Sequence, residues 1–173
     1  IYLLSNNKSD KAHENIKNAI NKFISGKTDE GIKLLKKLIK KNSSDYLAIY
    51  NLGYFYQQLN KYELAKKSYL NAIKINSHHW ESKLNIALIY IDLKEYSVAL
   101  KFIEEVLNIK KNYQPALRDK ALILYYLKRY DEALEAIEIS IKLNDRDYIA
   151  LNTIGIIHLA LSNIESAKEN FLK

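Results

Sequence analysis

The stretch 46–75, YLAIYNLGYFYQQLNKYELAKKSYLNAIKI, carries two small residues, Gly53 and Ala65, each inside an apolar-periodic segment. Gly53 belongs to a column of small residues that recurs every 34 residues: Ala19, Gly53, Ala87, Ala121 and Gly155. Two further columns share this period, one small and one large and apolar: Gly31, Ala65, Ala99, Ala133 and Ala167, then Leu35, Tyr69, Ile103, Ile137 and Phe171. Three columns in one register predict one supersecondary unit repeated about five times.

Each repeat is predicted to contain two helices. With Tyr46 as position 1 of a 34-residue frame, apolar residues recur at spacings of three and four over 46–59 and 63–76, which is the helical period. Short polar turns such as Asn60–Lys61 place the two helices antiparallel. The small residues then allow the two backbones to approach closely. The sequence therefore predicts an all-α array, with no single central core.

The frame also predicts the domain organisation. A repeat domain spans 12–173, and 1–11 is an N-terminal segment or the end of a preceding helix. The predicted repeats are 12–45, 46–79, 80–113, 114–147 and a truncated 148–173. Because stacked repeats leave their outermost faces uncovered, we expect the array to extend further or to pack on a second copy.

Composition limits the class of protein. The 173 residues carry a net charge of +7 and no Cys, which excludes disulfides and thiolate metal sites. The sequence has no run of eighteen apolar residues, so it predicts no transmembrane helix. Met is absent even at the start, which indicates a fragment or a processed form. The compartment stays open. The composition favours a soluble protein, with the cytoplasm as the leading compartment.

The columns resemble the tetratricopeptide repeat over about 12–173. The repeat 46–79 matches that pattern at seven positions: Ile49, Leu52, Gly53, Tyr56, Ala65, Tyr69 and Ala72. Lys120 departs from the pattern, since position 7 is normally apolar. The usual proline at position 32 is also missing from every repeat. The resemblance implies a right-handed superhelical array, or α-solenoid, whose first helices line a concave groove. It also implies a non-catalytic scaffold that binds a peptide or domain of a partner protein.

The resemblance further implies which side chains face the groove, at positions 2, 5, 6, 9, 12 and 13 of each first helix. The predicted partner-binding residues are Tyr50, Asn51, Tyr54, Gln58, Leu84, Asn85, Leu88, Arg118, Asp119, Leu122, Tyr126 and Asn152. Asn51 and Asn85 share position 6, where a column of amides would hydrogen-bond the backbone of an extended peptide. Asn is common throughout this chain, so a packing role for both residues stays open.

Three other functions are weighed against a peptide-binding scaffold. The segment could be the docking region of a larger enzyme, such as a glycosyl- or sulfo-transferase, or it could self-assemble into a homo-oligomer through its exposed ends. A basic stripe could also contact nucleic acid or an acidic membrane: Lys33, Lys36, Lys37, Lys40 and Lys41. The sequence does not favour nucleic acid, because lysines near helix C-termini already have a role in stabilising the helix dipole.

The sequence gives no case for catalysis. It contains no Gly-rich phosphate loop and no nucleophile motif. The adjacent pair His78–His79 is predicted to lie in a surface turn, because neighbouring residues do not readily point at one metal ion. His158 takes a position that is usually Tyr and is predicted to pack in the core. We therefore predict no catalytic residue, no metal and no cofactor.

Overall fold

Ten α-helices follow one another along residues 10–172, the part of the chain that the computed structural model describes. Their bounds are α1 Asp10–Ile24, α2 Thr28–Lys41, α3 Tyr46–Gln58, α4 Tyr62–Ile75, α5 Trp80–Asp92, α6 Tyr96–Ile109, α7 Gln114–Tyr126, α8 Tyr130–Leu143, α9 Tyr148–Ala160 and α10 Ile164–Phe171. No β-strand occurs between residues 10 and 172. The predicted all-α class is confirmed. Most of the predicted segment 1–11 lies outside the described residues, as does the side chain of Phe171.

Successive helices pack as pairs. Within the pairs, α1 contacts α2, α3 contacts α4, α7 contacts α8 and α9 contacts α10. The first helices of neighbouring pairs also touch, because α1 contacts α3 and α7 contacts α9. The first helices α1 and α3 therefore lie side by side, and so do α7 and α9.

One turn geometry closes all five hairpins. The second residue after each first helix has a positive φ, at the same frame position in every repeat: Gly26, Asn60, Lys94, Lys128 and Ser162. In the second hairpin, Lys61 N donates to Tyr56 O at 2.9 Å and Asn60 N donates to Gln57 O at 2.9 Å. This pair of bonds satisfies the last carbonyls of the helix and reverses the chain within about three residues.

The small-residue columns lie where paired helices meet. A Cβ at Gly53 would come within 2.9 Å of the Tyr69 ring, and one at Gly31 would come within 2.8 Å of Ala19 O. Both contacts are shorter than normal van der Waals separations, so glycine is required there at this spacing. Ala65, the partner of Gly53 in the frame, is fully buried.

The chain divides into two compact units, one ending at Asn85 and the other beginning at Ile86 within α5. The first unit buries the side chains of Leu35, Phe55 and Tyr69. The second buries a mainly aliphatic set: Ile103, Ile123, Leu124, Ile137 and Ile157. No helix between residues 10 and 172 is long and apolar enough to cross a lipid bilayer.

Candidate partner-binding surface

The predicted residues of the first unit differ in how much of each side chain reaches solvent. Gln58 is exposed, and Tyr54, Leu84 and Asn85 are half-buried. Tyr50 and Asn51, by contrast, are only 8% and 5% exposed. Those two belong to the interior wall of this unit, and a ligand would meet little of either.

The side-chain amides of Asn51 and Asn85, predicted to bind a peptide backbone, both donate hydrogen bonds within the protein. Asn51 Nδ2 donates to Leu47 O at 2.7 Å, one turn earlier on its own helix. Asn85 Nδ2 donates to Tyr69 Oη at 3.1 Å and to Tyr50 Oη at 3.3 Å. The structure therefore supplies a packing role for both Asn residues.

Tyr69 is the centre of a neutral polar and aromatic cluster. Its ring is fully buried, and its Oη donates to Gln57 Oε1 at 2.7 Å while accepting from Asn85. The Tyr50 ring lies 5.7 Å away between centroids. Burial first, and the neighbouring Tyr50 hydroxyl second, raise the pKa of Tyr69, so the phenol stays protonated.

His79 corrects the prediction of a surface turn. Its neighbour His78 is exposed, but His79 is only 7% exposed, and its Nδ1 lies 2.8 Å from Ser82 Oγ. The imidazole meets the edges or faces of Tyr46 and Tyr50 at centroid distances of 5.1 and 4.8 Å. The sequence pattern did not reveal the burial of His79, because two adjacent residues of one short turn can face in opposite directions.

The ionisation of His79 is decided by its burial. Burial lowers its pKa to about 4, although a carboxylate oxygen of Glu81 lies 3.5 Å from Nε2. That carboxylate would favour the charged ring, but the cost of removing the imidazolium from water is larger. The ring is therefore neutral at pH 7.

Asp147 organises a charged network in the second unit. Gln114 Nε2 donates to Asp147 Oδ2 and, at 3.0 Å, to Ser140 Oγ. Arg118 Nη1 donates to Asp147 Oδ2 at 3.2 Å. Arg118 is among the predicted partner-binding residues, whereas Gln114, Ser140 and Asp147 are not.

Asp147 also begins the next helix. Its Oδ1 accepts from Ile149 N at 2.9 Å and from Ala150 N at 3.2 Å, which caps α9. Burial pushes the pKa of Asp147 upward, but the hydrogen bonds from Gln114 and the backbone, with the charge of Arg118, outweigh it and lower the pKa. The carboxylate is therefore ionised and fixed, and it holds Arg118 in place.

Asp119 lies beside this network with spare capacity to accept hydrogen bonds. Its side chain is 14% exposed, and its Oδ1 is 3.7 Å from Arg118 Nε, which is longer than a hydrogen bond. Burial raises the pKa of Asp119 to about 6. Arg118 opposes this shift and Asp147 adds to it. A partner that donated to this carboxylate would stabilise its charged form.

The other predicted residues of the second unit are accessible to different extents. Leu88 and Leu122 are half-buried, Asn152 is exposed, and Tyr126 is 48% exposed. The ring of Tyr126 stacks on Tyr96, with centroids 4.6 Å apart. Tyr96 shares frame position 17 with Tyr62 and Tyr130, but the sequence does not reveal that Tyr96 stacks on Tyr126.

Between residues 10 and 172, no three His, Cys, Asp or Glu side chains come together as they would around a metal ion. His158 is half-buried, and its Nδ1 is buried without a hydrogen-bond partner among these residues.

Models of the tetratricopeptide repeat match this sequence over residues 46–79 and 81–113, and again over 118–169. No curated protein matches it. Among solved structures, MamA of Desulfovibrio magneticus RS-1 superposes with a TM-score of 0.86 at 18% identity, over 95% of this chain and 93% of that chain. YrrB, a TPR protein with an unusual peptide-binding site, gives 0.78 at 18% identity, over 90% and 80%. Pseudomonas aeruginosa pilF gives 0.81 at 19% identity, over 94% and 76%. The repeat models span most of the sequence, and these structures share its fold; the chain belongs to the tetratricopeptide repeat family.

Proposed function

We propose that this chain is a non-catalytic scaffold that binds a peptide segment of a partner protein on the faces of its first helices. The family and the fold support a role in protein interaction. The peptide-binding site of YrrB belongs to that protein, and its fold shows that helix pairs of this kind can carry such a site.

The observation that carries the proposal is the α7–α9 face of the second unit. Asp147 holds Arg118 there, Asp119 lies 3.7 Å from the Arg118 guanidinium, and the neighbouring helix contributes the exposed amide of Asn152. Leu122 adds apolar surface one turn further along α7. A carboxylate, a guanidinium and an amide beside an apolar side chain suit an extended peptide, whose backbone both donates and accepts.

A peptide library displayed on phage tests the proposal. Peptides selected on the wild-type chain are expected to bind the double variant Leu122→Glu/Asn152→Ala at least about tenfold more weakly, because the variant removes one apolar and one polar contact. Leu143→Glu is the matched control, since Leu143 is 45% exposed on a second helix of the same unit. Circular dichroism confirms that both variants fold.

The proposal fails if the control variant loses as much affinity as the double variant. It also fails if adding a selected peptide in solution never displaces the phage that displays the same peptide. Selection of peptides that still bind the double variant at wild-type affinity would place the binding surface elsewhere on the chain.

A further inference from the structure

The two units carry opposite charge. Residues 1–85 contain 15 Lys or Arg against seven Asp or Glu, which leaves +8, and residues 86–173 contain 12 against 13, which leaves −1. The net charge of +7 therefore resides entirely in the first unit. Such an asymmetry between the two halves of a sequence indicates a charged interaction surface.

The charge difference is sharpest on two second helices, α2 and α8. Both expose the same seven frame positions, which are 18, 19, 22, 25, 26, 29 and 30. In α2 five of these are lysines: Lys33, Lys36, Lys37, Lys40 and Lys41. In α8 four are acidic: Asp131, Glu132, Glu135 and Glu138. Equivalent positions of one scaffold thus present opposite charges.

The lysines of α2 are not neutralised by their surroundings. Among the described side chains, those of residues 12–170 and 172, none of the five lies within 4.0 Å of a carboxylate oxygen. On α8, Glu132 is paired with Arg129 at 2.6 Å, and its three acidic neighbours form no such pair in the same described range. Each face therefore repels itself and gains when a surface of opposite charge covers it.

We propose that α2 of one copy binds antiparallel to α8 of a second copy. Reversing the order of the α8 positions against α2 opposes unlike charges at five of the seven positions. Four of them oppose a lysine of α2 to a carboxylate of α8: Lys36 with Glu138, Lys37 with Glu135, Lys40 with Glu132, and Lys41 with Asp131. The fifth opposes Lys142 to Glu30, which also pairs with Lys22 at 2.6 Å within its own copy. No like charges are opposed in this register. The lysine stems would also cover Ile139, which is 45% exposed.

The parallel arrangement fits much less well. It would oppose three pairs of like sign, Asp29 with Asp131, Glu30 with Glu132, and Lys40 with Lys142. Only two pairs would be of unlike sign, Lys33 with Glu135 and Lys36 with Glu138. Like charges across an interface suppress the wrong pairing. The charges therefore specify the orientation of the contact as well as its two faces.

A second copy accounts for more of the surface than a polyanion does. A nucleic acid or an acidic membrane would match the lysines of α2 but would leave the acidic face of α8 unexplained. A contact between copies uses both faces. It involves second helices only, so it stands or falls separately from peptide binding on the first helices.

Charge-reversal variants test this contact. Wild type is expected to self-associate at low salt, measured by sedimentation over a range of concentrations. It should dissociate as the screening length falls from about 30 Å at 0.01 M salt to about 3 Å at 1 M. Lys36→Glu/Lys37→Glu and Glu135→Lys/Glu138→Lys should each weaken association by about tenfold or more, since attraction becomes repulsion at two opposed pairs.

Mixing the two variants distinguishes this contact from general charge effects. The mixture should associate, because the reversed α2 of one variant meets the reversed α8 of the other. Lys61→Glu/Lys111→Glu, which makes the same charge change at exposed sites elsewhere, should leave wild-type association unchanged. A monomeric wild type at 0.01 M salt overturns the proposal, as does a mixture that stays monomeric. Binding of a short single-stranded oligonucleotide by a monomeric wild type would assign the α2 face to a polyanion instead.

Discussion

In both units the residue at frame position 34 contacts the residues at positions 1 and 5, but the side chains in this contact differ. In the first unit, the residue at frame position 34, His79, packs its neutral ring against Tyr46 and Tyr50 at positions 1 and 5. In the second, the residue at position 34 is Asp147, which accepts hydrogen bonds from positions 1 and 5, the latter being Arg118. The repeat frame fixes which three positions meet, and the side chains decide whether the contact is aromatic or ionic.

This difference leaves different polar groups accessible in the two units. Asn51 and Asn85 of the first unit already donate to backbone and tyrosine oxygens, whereas Gln58 is exposed. In the second unit, the described residues give the Asp119 carboxylate no short hydrogen bond, and Asn152 is exposed. A buried neutral cluster contributes to stability, whereas a partly exposed charged one can also serve recognition.

The largest effect is expected at the centre of the first unit. Tyr69→Ala should lower the free energy of unfolding by about 3–5 kcal/mol, because it leaves a cavity and removes the hydrogen bonds of the Tyr69 hydroxyl to Gln57 and Asn85. Urea unfolding followed by the fluorescence of Trp80 measures it. Leu70→Ala is the control on the same helix, since Leu70 is 50% exposed. An equal loss for both variants would contradict the central role of Tyr69.

The pH dependence of the first unit should follow His79. Its folded pKa of about 4 lies below the ordinary value of 6.5, so between these values the unfolded chain binds a proton that the folded ring does not. Stability should therefore fall as pH falls from about 6.5 to 4, by at most about 3 kcal/mol. Urea midpoints read by Trp80 fluorescence at pH 7 and pH 4.5 measure this. His79→Gln should remove most of the dependence, and an unchanged slope would rule out His79 as its source.

The second unit should respond in the opposite direction through Asp119. Its folded pKa of about 6 lies above the ordinary 3.8, so the folded state binds the extra proton between these values. Protonation of Asp119 therefore stabilises the folded state increasingly as pH falls through 6, and this stabilisation is complete below about pH 4. Asp119→Asn should stabilise the second unit by about 1–2 kcal/mol at pH 7 and by little at pH 4. Hydrogen exchange of the α7 amides measures this, and stabilisation of equal size at both pH values would contradict it.

The smallest effect is expected at the turns, where the units also differ. The first unit places Gly26 and Asn60 at its positive-φ positions, and both residue types tolerate that conformation. The second unit places Lys94, Lys128 and Ser162 there. Lys128→Gly should therefore raise the free energy of unfolding of the second unit by about 0.5–1 kcal/mol.

The matched substitution Asn60→Gly should change stability by only a few tenths of a kcal/mol. Thermal unfolding of the two variants side by side checks the comparison. A larger gain from Asn60→Gly than from Lys128→Gly would show that strain at these turns is not set by residue type.

Repeat period, helix pairing and family could be predicted from the sequence because they depend on residue size at fixed spacing. Gly53 and Ala65 had to be small wherever two helices cross, so their columns were visible without coordinates. The side-chain partners were less accessible. Asn51 and Asn85 share a frame position, yet one bonds to its own helix and the other to two tyrosines.

The sequence by itself therefore determined the repeating α-hairpin, since helix propensity and close packing are local and recur with the period. Only the tertiary structure decided that His79 is buried and that Asp147 connects Gln114 to Arg118. Those contacts join residues about 30 positions apart. Their strength depends on distance and dielectric environment, which a one-dimensional pattern does not encode.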